Sequence, residues 1–417
     1  MSFKPKAFWP GVLGAFVCWY DWILFSICTA IVFKDVFFPE VSYLVPLMVF
    51  AAGYVARPLG GIIAGHIGDR VGRKPVLQWT LLITAFTTVA MGLLPNYADI
   101  GVTAAFALLA LRVIQALSFG AELASTDVIN YEFHKDSELR GTITSANAAV
   151  LPAAMVASSL AITLMFFDGP ATFMDWGWRV PFLAGGVLFL IAWYVRNQAL
   201  ETPAFEAVLK TNKIERAPIL TVAREHWRKV VLGTGVAQLG AVWDFAALLF
   251  GFAFLADKLN VDRDLLTQVE LVLALVAIPL AIFYGWLGDK FNRLRLFNIA
   301  AVLSFLLIYP LITFLSLGDA WIPVIIGFVF MSIFTYAQVP AFVSEIFPTQ
   351  VRTTGASLVL NLGAMFGGVT PLVCWWLYEL NNNIWDISYW LVATGVYGIV
   401  SGLLMRKSYD PQAHAKT

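Results

Sequence analysis

Hydrophobic and polar positions along this chain alternate on a long wavelength: apolar runs of twenty or so residues are separated by short polar breaks. The runs predict membrane-spanning helices at about 8–33, 43–67, 76–95, 103–126, 142–167, 180–196, 230–256, 265–287, 297–317, 321–343, 354–378 and 386–406. Trp9, Tyr43, Trp178, Tyr194, Trp321 and Trp385 fall near run edges, where amphipathic rings suit the membrane–water interface. The longest polar segment, 197–229, mixes charges of both signs with Pro203 and Pro218. It divides the spans six and six, predicting an N-terminal half (1–196), a linker, a C-terminal half (230–406) and a short tail (407–417). The expected fold class is all-α integral membrane, with twelve transmembrane helices in two six-helix halves.

Composition sharpens that expectation. Of 417 residues, 59% are hydrophobic and 13% charged, against about 25% charged in a soluble domain. Mean hydropathy is +0.77, more apolar surface than a soluble fold of this size could bury. With the N-terminus inside, 21 Lys and Arg fall in inner segments and four (Lys34, Arg179, Lys258, Arg263) in outer ones. That positive-inside bias predicts a multi-pass protein with both termini cytoplasmic. Met1–Lys6 is short and basic, but the apolar run behind it is longer than a signal-peptide core and lacks a cleavage site. Net charge is zero and no Lys/Arg-rich run exists, so no nucleic-acid partner is expected. Cys18, Cys28 and Cys374 have neither metal nor disulfide spacing, and the four histidines show no metal pairing. No phosphate loop is present, and no nucleophile–base or metal set points to an enzyme.

The halves repeat weakly. Gly68-Asp69-Arg70-Val71-Gly72-Arg73 is echoed by Gly288-Asp289-Lys290-Phe291-Asn292-Arg293, and Trp19-Tyr20-Asp21 by Val242-Trp243-Asp244. Glu132 through Arg140-Gly141 is matched by Glu345 through Arg352 and Gly355. Parallel six-helix repeats are a transporter architecture with a central site between them.

Charge inside an apolar span is expensive and usually faces a cavity or a partner. Asp21, Arg57, Arg112, Glu122 and Asp244 are the candidates. Arg112, Gln115, Phe119 and Glu122 share one helical arc and predict a polar stripe along a water-filled path. Buried guanidinium suits a planar carboxylate, whereas a desolvated carboxyl can carry a proton. The residues therefore suggest Arg112 as anion anchor, Asp21 as proton carrier and Glu122 as the next candidate for that role.

Specific strings resemble the metabolite:proton symporters of the major facilitator superfamily. They are Trp19-Tyr20-Asp21 with Phe37-Phe38-Pro39; Tyr54-Val55-Ala56-Arg57-Pro58-Leu59-Gly60-Gly61 running into Gly65 through Lys74; Arg112, Gln115, Gly120 and Glu122; and Trp176-Gly177-Trp178-Arg179-Val180-Pro181-Phe182 with Glu201-Thr202-Pro203. The chain departs from that family at Cys18, where it usually has Glu, and at Gln115-Ala116 and Gly120-Ala121-Glu122. The resemblance implies a monomeric carrier of a bacterial inner membrane, alternating by rocking of its halves. It needs no cofactor beyond the proton as coupling ion, and its partners are a small-molecule substrate and the lipid bilayer. It also implies an inner-face latch of Asp69, Arg70, Gly72, Arg73, Asp289, Arg293, Glu132, Arg140, Glu345 and Arg352. The expected function is import of a small organic acid, with Arg112, Arg57, Gln115, Trp19, Tyr20, Trp243 and Asp244 binding it. The alternatives are a proline or betaine symporter, in which Trp19, Tyr20 and Trp243 form a cation–π cage, and a non-transporting sensor on the same fold.

Overall fold

The computed structural model describes residues 5–39, 41–71, 73–134, 137, 139–166, 169–197, 218–348 and 350–406. The side chains of 5–8, 65–66, 68–71, 73–74, 123–125, 129, 133–134, 146–147 and 170 are excepted. Its regular elements are helices throughout, with no strand among the described residues. Twelve are long and apolar enough to cross a membrane: Trp9–Ile31, Leu44–Ala64, Pro75–Gly92, Val102–Glu132, Arg140–Met165, Phe173–Asn197, Trp227–Lys258, Arg263–Lys290, Arg293–Ser316, Trp321–Ile346, Arg352–Asn381 and Ile384–Met405. They are the first to twelfth spans below.

Most span edges fall where the apolar runs end. Asp262 starts the eighth span by accepting the Asp264 N–H (3.0 Å), and Asn292 starts the ninth by accepting from Arg295 N–H (3.1 Å). Such caps satisfy backbone donors that the first helical turn leaves free. The sixth span differs from expectation. It begins at Phe173 rather than near 180, because a π-helical turn, Phe173–Gly177, carries the helix through the polar Asp175. Two further π-helical stretches lie in the C-terminal spans, Ala246–Phe250 in the seventh and Ile325–Ser332 in the tenth.

Small residues set the closest approaches, as membrane helix packing requires in the absence of a hydrophobic drive between spans. A Cβ on Gly60 would lie 1.9 Å from the Leu117 carbonyl oxygen, and one on Gly120 2.1 Å from that of Arg57, so the second and fourth spans touch backbone to backbone. Between the first six and last six spans, the second packs along the eleventh and the fifth along the eighth. Gly368 gives the Tyr54 ring its place in the former seam, where any added Cβ would sit 2.0 Å from it. The fifth and eighth spans, with the first and seventh, line a small cavity between the halves.

Candidate functional site

One face of the first span lines that cavity with Trp19, Trp22, Ile23, Ser26, Ile27 and Ala30, the spacing of one helical stripe. Opposite stand Asp244, Phe245, Leu248, Leu249 and Phe252 of the seventh span and Glu270 of the eighth, with Leu151 and Met155 of the fifth at the side. The volume is about 40 Å³, enough for water, which needs roughly 10–15 Å³, and too small for a metabolite. Its lining contains two carboxylates and no basic residue.

Both predicted intramembrane arginines lie behind this wall. The Arg112 guanidinium carbon is 3.5 Å from the Trp22 ring centre and 3.9 Å from that of Phe25. That of Arg57 is 4.5 Å from Phe119, 5.0 Å from Tyr54 and 5.1 Å from Trp22. Cation–π stacking offsets part of the cost of burying such charges. Trp22 is fixed in turn, its indole N–H donating to the Tyr54 hydroxyl and its ring tilted on Phe119 at 4.7 Å. Gly53 leaves room for Arg112, whose Nε would be 2.9 Å from any added Cβ.

Asp21 does not face the cavity. Thr88 donates to its Oδ1 (2.6 Å), Gln115 Nε2 donates to the Thr88 hydroxyl (3.2 Å), and Arg112 Nη1 donates to Gln115 Oε1 (2.7 Å). Asp21, Gln115 and Arg112 are thus brought together as one hydrogen-bonded relay among the first, third and fourth spans, all three fully buried. The Asp21 Oδ2, the Arg57 Nη1 and Nη2 and the Arg112 Nε and Nη2 atoms have no hydrogen-bond partner among the described residues.

The stripe on the fourth span is enclosed rather than open to water. Phe119 is sealed against Trp19 and Trp22. Glu122 is ion-paired to Arg196 of the sixth span and also accepts from Thr80 (3.1 Å) and Thr126 (3.4 Å). Gly14 makes room for that pair, since an added Cβ would meet both side chains. Tyr20 and Trp243 do not join a cage at the cavity. Tyr20 donates to the Pro181 carbonyl (3.0 Å) and packs over Gly185. Trp243 is fully buried, and its backbone is pressed against Gly327 of the tenth span. Each turns away because consecutive helical residues point about 100° apart, so Trp19, Trp22 and Asp244 take the inward positions.

At the face where the fourth and tenth spans end, which by residue count is the basic one, the predicted gating residues meet. Glu132 pairs with Arg352 (3.3 Å) and Arg140 with Glu345 (3.1 Å). Repeat-related residues therefore exchange partners, acid of one half with base of the other. Asp289 accepts from the N–H groups of Gly141 and Thr142 (2.7 Å each) and from the Thr142 hydroxyl (2.8 Å), at the start of the fifth span. Arg293 holds Asp289 (2.7 Å) and reaches Glu345 (3.5 Å). Gly72 and the side chains of Asp69, Arg70 and Arg73 lie outside the described residues. At the opposite face, Lys34 pairs with Asp257 (3.0 Å), Arg263 with Asp35 (3.5 Å), and Tyr43 stacks on Trp375 at 5.1 Å. Halves bridged at both faces around a contracted cavity form an occluded arrangement.

Glu270 escaped the sequence reading. It is an acid inside an apolar span, the same signal that marked the other five, but it stands close enough to the predicted edge at 265 to pass for an interfacial residue. In the structure it is 6% exposed and lines the cavity beside Asp244.

Comparison with known proteins agrees with this architecture. Residues 11–371 match the family model of the Major Facilitator Superfamily. The chain is 30% identical to the inner membrane metabolite transport protein YhjE of Escherichia coli (strain K12), covering 97% of this chain and 94% of that protein. It is 26% identical to the proline/betaine transporter of the same organism, over 97% of this chain and 83% of the relative. Among solved structures, the proton:xylose symporter XylE bound to 6-bromo-6-deoxy-D-glucose shares the fold, with a TM-score of 0.73 and 17% identity over 96% of this chain and 95% of that one. With its twelve spans and matched family model, the chain belongs to the Major Facilitator Superfamily and is a membrane transporter.

Proposed function

We propose that this transporter is a proton-coupled symporter importing a small zwitterionic osmolyte of the proline/betaine class, with its basic face toward the cytoplasm of a bacterial cell. The observation that carries this reading is the cavity wall: Trp19, Trp22 and Phe245 beside Asp244 and Glu270, with no base in the lining. A free organic acid entering there would meet two carboxylates. An ammonium group meets opposite charge and aromatic faces, the combination that recognises quaternary and secondary amines. Behind the Trp22 ring, the buried Nη1 and Nη2 of Arg57, without a hydrogen-bond partner among the described residues, would be the partner for the substrate carboxylate once the cavity widens. The proline/betaine relative supports the zwitterion over the organic acid expected from the arginines alone.

The test is equilibrium exchange in proteoliposomes containing the purified chain. Preloaded glycine betaine or proline should exchange with external label, and succinate should not compete. Exchange of succinate with no exchange of either zwitterion would return the site to an organic acid.

A further inference from the structure

Every other intramembrane acid named above has partners. Asp21 has the Thr88 hydroxyl and the relay to Arg112, and Glu122 has Arg196. Asp244 and Glu270 have neither an ion pair nor a hydrogen-bond donor among the described residues, and Oδ1 of Asp244 is buried without one. They come from different spans into one enclosed space. The first span turns Trp19, Trp22 and Ser26 to it and the fifth Leu151 and Met155, none of which ionises at neutral pH. The tenth span, also packed on the eighth, brings Tyr336 against Trp19 (5.9 Å) and keeps Glu345 far off at the basic face, paired with arginines. Closing two carboxylates into so small a cavity without a cation carries a large desolvation cost. The ammonium group of a zwitterion neutralises one of the two.

We infer that the Asp244–Glu270 pair takes up one proton with each substrate ammonium group, Glu270 holding it, so that neither carboxylate is left bare when the substrate is carried across. The inference rests on the zwitterion reading above for its ammonium, and on the cavity alone for its proton. The chemistry is simple: a proton from external water forms an O–H bond with a carboxylate oxygen of the pair and returns to water at the other face, with nothing oxidised or reduced. Coupling follows because a substrate ammonium without the proton leaves one carboxylate bare, and passage of the loaded carrier is then disfavoured.

The experiment compares E270Q, D244N and E270D with wild type in proteoliposomes, using glycine betaine as probe. One pH unit should let wild type concentrate the probe about tenfold. E270Q should fall to no concentration while still exchanging, at weaker affinity, because the cavity now closes on ammonium alone; E270D should recover accumulation. Undiminished accumulation in E270Q would overturn the inference and move the proton to Asp21. A second readout needs no substrate: the infrared band of a protonated carboxyl in purified protein should survive Asp21→Asn and vanish in E270Q. Loss of that band in Asp21→Asn overturns the assignment even if E270Q does not fold. Wild type that exchanges neither betaine nor proline defeats the substrate reading alone, since the infrared band still decides the proton.

Discussion

The two faces of this transporter are closed by different means. At the basic face most of the charged side chains are removed from solvent: those of Glu132 and Glu345 are 1% exposed, Arg293 5%, Asp289 6% and Arg352 7%, with Arg140 at 22%. Asp289 alone gathers three hydrogen bonds and an arginine. At the opposite face the ion pairs are more open to water, with Arg263 44% and Asp35 49% exposed and Lys34 and Asp257 half-buried, and aromatic contacts such as Tyr43 on Trp375 contribute to the packing. A buried, multiply bonded charge is costly to disturb because its partner stays behind unpaired, whereas an exposed pair contributes only about 0–1 kcal/mol. The basic face is therefore an electrostatic lock, and the opposite face closes mainly by shape.

The strongest way to break that contrast is D289A. It leaves Arg293 short of its carboxylate and strips acceptors from the Gly141 and Thr142 amides. The closed basic face should lose about 3–5 kcal/mol, a shift of about two to four orders of magnitude toward opening. Spin labels at Leu139 and Arg295, both exposed, should report a longer distance across that face; an unchanged distance would show that the lock does not hold it shut.

A milder break is E345Q. The amide still accepts from Arg140 or Arg293 but has lost its charge, so the same label pair should move by about 1–3 kcal/mol, the range for hydrogen bonds to charged groups. An effect as large as that of D289A would make Glu345 the keystone instead.

K34A sharpens the comparison from the other side. The pair to Asp257 is half-buried, but Asp257 keeps Lys258 (3.0 Å), so its loss should change opening at the opposite face by no more than about 1 kcal/mol, read by labels at Val41 and Leu259. The remaining effect should disappear in high salt, since exposed charges are screened. A salt-resistant, larger change would mean that this face is locked electrostatically too.

The spans were legible because their length and apolarity are one-dimensional properties, and the reciprocal acids and bases of the lock because internal repetition marks them. Orientation about each helix axis was not legible. In Trp19-Tyr20-Asp21-Trp22, four consecutive residues cover the whole circumference, so any of them could face a cavity. Only the third and sixth spans, which supply Thr88 and Pro181, decide that Asp21 and Tyr20 turn aside. Trp243 and Asp244 pose the same ambiguity, settled by the tenth span. Glu270 shows a separate limit: depth is judged from the edge of a run, and the helix begins earlier than that edge, at Arg263 behind its cap Asp262. The π-helical turns in the sixth, seventh and tenth spans leave no periodicity to find, because a single wide turn shifts the pattern by only one residue.

Under the proposed zwitterion–proton symport, the carboxylate pair facing the cavity without a base would also fix the electrical character of the cycle. A zwitterion is neutral, so a proton travelling with it makes the cargo singly positive. Each cycle then carries one charge across the membrane. A potential of 100 mV, negative inside, acts on that charge with about 2.3 kcal/mol, a factor of about fifty in the ratio of internal to external substrate. On that proposal, membrane voltage alone would concentrate the substrate when the pH is equal on both sides, and a depolarised cell would lose that store by the same route.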